Sequence, residues 1–141
     1  MANIIPDAFK SELLSGTHNF ANGGNTFKIA LFTDISGYST SSTTYSTTNE
    51  VSSSGTNYSA GGNALDSQAV SVASNTALVD FADEVFSSVT LSAVGAVIYN
   101  DTNSDKLVVV LDFGGTKTAT NGDFTIQFPA AGASTAIIRI A

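Results

Sequence analysis

The sequence predicts an all-β protein, an antiparallel β-sandwich or jelly-roll-like fold with one short N-terminal α-helix. Three observations predict it. Seven or eight short runs rich in Val, Ile, Leu, Phe and Ala recur along 141 residues, punctuated by Gly, Asn and Ser/Thr clusters. The only stretch with helical character lies near the N-terminus, so helical crossovers between parallel strands have no candidate. Residues 85–113 read as a strand, a polar loop and a return strand that is apolar at every position from Leu107 to Leu111.

Residues 4–14 form the helix candidate. Pro6 suits a first helical position, Asp7 places a negative charge in the first turn, and Gly16 supplies the stop. Ala8, Phe9, Glu12, Leu13 and Leu14 are its expected docking stripe, and so short a helix needs a surface to dock on. After the turn chemistry of Asn22-Gly23-Gly24-Asn25, residues 27–33 alternate as a strand with Phe27, Ile29 and Leu31 on one face.

Residues 36–59 stand apart. Fifteen of the twenty-four are Ser or Thr, interleaved with Tyr38, Tyr45 and Tyr58. Loops of this length without structure are uncommon unless functional or disordered. A solvated linker has no need of three large amphipathic rings, so an arm that contacts a partner through Tyr38, Tyr45 and Tyr58 is expected. With so few apolar groups of its own, the arm is expected to be mobile in the free protein and fixed on that partner.

Residues 64–72 and 77–81 read as strands joined around Ala73-Ser74-Asn75-Thr76. In the hairpin that follows, alternation puts Val89, Leu91, Ala93, Val97 and Tyr99 on one face and Ser88, Thr90 and Ser92 on the other. Past Ala93 the second face turns apolar as well, through Val94, Ala96 and Ile98. A hairpin with one wet face alternates cleanly, so this part must be covered on both sides, by a second layer of the fold or by another chain. Val94, Ile98, Val108 and Val110 are the candidates for contact with another copy. Gly114-Gly115 is expected to break the return strand and Asn121-Gly122 to make a tight turn. Residues 124–128 alternate with Phe124, Ile126 and Phe128 inward, and residues 136–140 form a last strand.

Composition narrows the function. A chain of this length suits one domain, 1–141, carrying the Ser/Thr/Tyr-rich arm at 36–59. There is no cysteine, hence no disulfide, thiol nucleophile or thiolate metal site. Charged residues are 12% of the chain, roughly half the usual share. Net charge is −7, with Lys10, Lys28, Lys106, Lys117 and Arg139 the cations. Phosphate neutralisation, and so nucleic-acid binding, is excluded on that balance, as is an anionic membrane surface; a basic protein lattice fits it. The first residues have no basic run followed by an apolar one, and no window approaches the ~20 apolar residues of a membrane span, so synthesis and assembly in a cytoplasm are expected.

Candidate chemistry is sparse. His18, the only histidine, sits in Gly16-Thr17-His18-Asn19 and reads as an exposed or locally bonded turn residue, since no Gly-x-Ser-x-Gly elbow accompanies it. Asp80, Asp83 and Glu84 read as a polar turn whose carboxylates hold backbone amides rather than as a glycosidase pair. Asp101, Asn103, Asp105 and Asp112 imitate part of a calcium loop, but Lys106 stands where glycine is required. No catalytic residue, metal site or cofactor is expected.

Several segments carry a family likeness. They are Lys10-Ser11-Glu12-Leu13-Leu14-Ser15-Gly16-Thr17-His18-Asn19-Phe20, the strand at 27–33, Thr48-Asn49-Glu50-Val51, and Gly55-Thr56-Asn57-Tyr58-Ser59-Ala60-Gly61-Gly62. Val79-Asp80-Phe81-Ala82, Gly95-Ala96-Val97-Ile98-Tyr99-Asn100-Asp101 and Val110-Leu111-Asp112-Phe113-Gly114-Gly115 continue it. Together they cover most of the chain, which resembles the small virion structural proteins of tailed bacteriophages. The resemblance implies assembly on a particle, with no catalytic motif to carry over. It implies a capsid decoration (cement) protein that binds the major capsid protein, often as a homotrimer, or else a tail, neck or fibre component. A carbohydrate-binding sandwich is the more distant reading; it wants exposed aromatics, and the chain has no Trp.

Overall fold

The computed structural model describes residues 2–141. It is an all-β antiparallel sandwich with one short helix. The element order is α1 (Asp7–Leu14), β1 (Phe27–Phe32), β2 (Asn63–Ala64), β3 (Ala69–Ala73), β4 (Thr76–Asp80), β5 (Glu84–Asn100), β6 (Lys106–Ile126) and β7 (Ile138–Ile140). Two sheets result, ordered β2-β1-β5-β6 and β3-β4-β7.

The helix starts later than its pattern suggests. Pro6 is the N-cap, in an extended conformation, rather than the first helical residue. Ile4 bridges to Val110 on β6 instead, with Ile4 N–H and Val110 N–H each donating to the other's carbonyl. Only Phe9 of the helix is fully buried, and Leu14 points to solvent at 92% exposure.

The hairpin β5–β6 is the spine, and its length is the main departure from expectation. Gly114-Gly115 does not end β6, and Asn121-Gly122 does not turn it. Both are absorbed as irregularities within one 21-residue strand. Ala93 pairs with Lys117 and Gly95 with Asp112, so residues 113–116 bulge out opposite Val94. Gly114 has φ +75° and Gly115 φ +153°, which glycine adopts without a Cβ penalty. Asn121, at φ 45°, sits in a second register shift, between the pairs Leu91–Ala119 and Val89–Gly122.

The first bulge also reverses the faces. Val89, Leu91 and Ala93 point into the main core with Ala96 and Ile98, whereas Val97 and Tyr99 point the other way. A strict period of two would have kept Val97 and Tyr99 with Val89; one extra residue flips everything beyond it. A further shift, between the pairs Ile98–Val109 and Tyr99–Leu107, leaves Val108 as an extra residue. Val108 and Val109 therefore both join the main core, while Leu107 and Val110 face the opposite side.

Both sides of the spine are covered by the chain itself. On one side lies a large core of Phe20, Phe27, Ile29, Leu31, Phe81, Phe86, Phe124 and Phe128, joined by Val79 and Ile138 from the smaller sheet. On the other side Ala30, Phe32, Val97, Tyr99, Leu107 and Val110 are closed over by Ile35, by Tyr38 and Tyr45 from the arm, and by Ile4 near the N-terminus. Ile98, Val108 and Val110 are fully buried and Val94 is half-buried within the single chain. The expected second copy is thus not what covers them.

Gly62 fixes how the arm returns to the sheet. Its φ is +77°, and a Cβ there would lie 1.8 Å from the Ile29 carbonyl oxygen. Gly62→Ala is therefore expected to peel β2 from β1 and lower stability by about 2–3 kcal/mol, read from chemical denaturation. A variant as stable as the parent would show that this edge is not under steric constraint.

Candidate interaction surface

The arm is held by a carboxylate at the sheet edge. Residues 49–51 run along β1 beyond the end of β2, where Thr33 N–H donates to Asn49 O, Val51 N–H donates to Leu31 O, and Phe32 bridges Glu50. That placement puts the Glu50 side chain between the two cores. Its Oε2 accepts from the Tyr45 hydroxyl at 2.5 Å, and its Oε1 accepts from the Tyr58 hydroxyl at 2.6 Å and Gly61 N–H at 2.7 Å. Tyr45 belongs to the arm-side cluster and Tyr58 to the main core, so one carboxylate ties both faces together. Burial, and then the adjacent Glu50 carboxylate, push the Tyr45 and Tyr58 phenols well above their ordinary range, so both stay protonated donors.

The remaining tyrosines complete the clamp. Tyr45 stacks on Tyr99 with ring centroids 4.4 Å apart, and the Tyr99 hydroxyl donates to Gly61 O at 2.6 Å. Tyr38 packs edge-on against Phe32, and its hydroxyl both donates to Ser46 O and accepts from Ser46 N–H. The arm, expected to rely on a partner, is packed against its own chain. Tyr38 and Tyr58 are buried, Tyr45 is half-buried, and their partners lie on the chain's own sheet and within the arm itself. The sequence carried the signal in one residue, Glu50, the only charge in the Ser/Thr-rich stretch.

The other candidates for chemistry are engaged in structure. Asp83 accepts from Phe128 N–H, and Glu84 accepts from the Asn63 side-chain amide. Asn103 donates to Thr17 O, and Asp101 lies 3.6 Å from Lys28 Nζ. Among the described residues no group of three or more His, Asp or Glu side chains is placed to hold a metal ion. His18 departs from its expectation. It is not an exposed or locally bonded turn residue: its side chain is fully buried, and Nδ1 accepts from the Asn100 amide across 82 residues of sequence. It lies under α1 among Phe9, Phe20 and Phe27.

Three of the exposed large apolar side chains gather on the smaller sheet. In register, Val72, Ala77 and Ile140 form one cross-strand row and Val70, Val79 and Ile138 the next. Val79 and Ile138 are buried, but Val70, Val72 and Ile140 are 53%, 73% and 54% exposed. The strands β3 and β7 are the two edges of that sheet, and β3 carries no charge or proline. A shallow apolar groove of 340 Å³ runs beside it, lined by Leu13, Phe20, Val70, Leu78, Ile138 and Ile140 among others. No aromatic ring is among the exposed large side chains of the described residues. No family model matches this chain, and neither a curated protein nor a solved structure does.

Proposed function

We propose that this chain is a non-enzymatic virion structural protein of a tailed bacteriophage, a capsid decoration (cement) protein that binds the outer capsid lattice and stabilises the head. The observation that carries the assembly reading is the apolar rim of the smaller sheet, Val70, Val72 and Ile140, on a chain with so few charges. An exposed, uncharged edge strand with apolar side chains, as β3 is, invites a protein partner. A net charge of −7 favours a basic partner face, as a major capsid protein would have to offer. The particular assignment to a phage particle, and to a homotrimer on it, comes from the family resemblance of segments such as Gly55-Thr56-Asn57-Tyr58-Ser59-Ala60-Gly61-Gly62. The carbohydrate-binding alternative is less well supported, because the aromatic side chains that would stack on sugars are packed inside.

The test is attachment to the particle. Val72→Asp combined with Ile140→Asp is expected to weaken binding to heads at least tenfold, while the melting temperature stays within about 2 °C, since substitutions at exposed positions are near neutral for stability. Unchanged binding would remove this rim as the contact. A copy number comparable with that of the major capsid protein supports a head protein; a small fraction of it supports the alternative of a tail, neck or fibre component.

A further inference from the structure

We infer that His18 is a pH-sensitive latch: its neutral ring locks α1 and the loop behind it onto the tip of the β5–β6 hairpin, and protonation releases them. This inference stands apart from the proposed function.

Asn100 is fully buried at the end of β5. Its Oδ1 accepts from Asn103 N–H, and its amide nitrogen donates to His18 Nδ1 at 3.1 Å and to Asn25 Oδ1 at 3.0 Å. Asn25 Oδ1 also accepts from Asn19 N–H and from the Asn103 amide. Turning the Asn100 amide round would set its oxygen against Asn25 Oδ1 and its hydrogens against Asn103 N–H. The amide is therefore fixed as a donor toward His18, and Nδ1 must carry a lone pair. The proton of the neutral ring is on Nε2.

An imidazolium does not fit that network. A proton on Nδ1 would face the donor hydrogens of Asn100, and Asn100 cannot turn to accept it. Among the described residues two charged groups face the ring, Glu12 from α1 and Lys106 from β6. Glu12 Oε2 lies 3.6 Å from His18 Nε2, beyond hydrogen-bonding distance, and 3.3 Å from Lys106 Nζ. The carboxylate favours the charged ring, chiefly through its own charge, and Lys106 offsets part of that. Neither Glu12 Oε2 nor His18 Nε2 has a hydrogen-bond partner among the described residues. Burial, the largest influence, lowers the His18 pKa; Glu12 raises it and Lys106 lowers it.

The linkage has a definite sign. A histidine whose folded pKa lies below its free value of 6.5 binds protons better once released. The docked state is at full strength above 6.5 and weakens as pH falls from there toward the folded pKa. The released part is α1 with the following loop, because Asn103 and Asn25 hold that loop to the hairpin through Thr17 O and Asn19 N–H. The ladders of β1 and β5 do not depend on the ring.

The chain has a single histidine, so its ring resonances need no assignment. Nuclear magnetic resonance should show an Nε2–H tautomer titrating below 6.5. Ser15 and Thr17 amides, which donate to Ser11 O and Glu12 O, should lose protection between pH 7 and pH 5, after correction for intrinsic exchange. The loss should approach about tenfold for each pH unit below 6.5 until the folded pKa is reached, with β1 and β5 amides unchanged. His18→Asn keeps an acceptor for Asn100 and cannot titrate, so its protection should be flat across the same range. A ring that titrates at or above 6.5, an α1 equally protected at pH 5 and pH 7, or a His18→Asn variant with the same pH-dependent loss would each overturn the latch. Should His18→Asn fail to fold, the titration and exchange of the parent protein decide the matter alone.

Discussion

Val109→Asp is expected to cost on the order of 5 kcal/mol, enough to abolish folding of a typical domain of this size. Val109 is 2% exposed and pairs with Ile98 on the hairpin spine. It lies in the main core, a cluster of aliphatic and aromatic side chains. Removing the isopropyl group loses packing, and the charge adds a desolvation cost. The two contributions separate by comparison with Val109→Asn, which is polar but uncharged. A buried Asp titrates above its ordinary range, so the gap between the Asp and Asn variants should narrow as pH falls toward 4. Urea unfolding across that range measures it. A Val109→Asp protein that melts within a few degrees of the parent would mean that this side of the hairpin is not a core.

How much of this was legible in the sequence depends on whether the deciding signal was local. The alternation of Phe27, Ile29 and Leu31, the polar loop at Asn100-Asp101-Thr102-Asn103-Ser104-Asp105 and the inward set Phe124, Ile126 and Phe128 were all readable, and the structure has them. The turn at Ser74-Asn75 was readable too, and both residues adopt positive φ. Gly114-Gly115 and Asn121-Gly122 misled because the same backbone freedom serves a turn or a bulge. Only the pairing partner tells which, and it lies some twenty or thirty residues away. The face reversal at Val94 follows from the first of these bulges, so one misread glycine pair displaced Val97 and Tyr99 together. His18 and Asn100 could not be joined by any local pattern, since their contact is set by where α1 docks. The exposed rim at Val70 and Val72 was likewise hidden, because the strand pattern there looks the same whether or not a neighbour covers it.

The arm is where reading and structure differ most, and Glu50→Ala is expected to open it. The substitution removes the acceptor for two tyrosine hydroxyls and one backbone amide at once. Tyr58 is 3% exposed and its hydroxyl also accepts from Leu31 N–H, so it cannot turn to solvent without leaving β1. Hydrogen bonds to a charged acceptor contribute about 1.5–3 kcal/mol each, and a buried donor left unpaired costs a comparable amount. Because half-buried Tyr45 can recruit water, the total should be about 3–5 kcal/mol rather than the full sum. The loss should be local before it is global. Amides bonded along the arm, Tyr45 N–H to Asp105 O and Leu107 N–H to Thr43 O, should exchange faster than those of the β1–β5 ladder. Glu50→Gln keeps one acceptor oxygen and an amide to which the Tyr45 hydroxyl can turn its lone pairs, so it should recover roughly half of the lost stability. The order parent, Gln, Ala in both melting temperature and arm protection is the expected result. An Ala variant whose arm exchanges as slowly as the parent's would show that stacking of Tyr45 on Tyr99 and of Tyr38 on Phe32 holds the arm without the carboxylate.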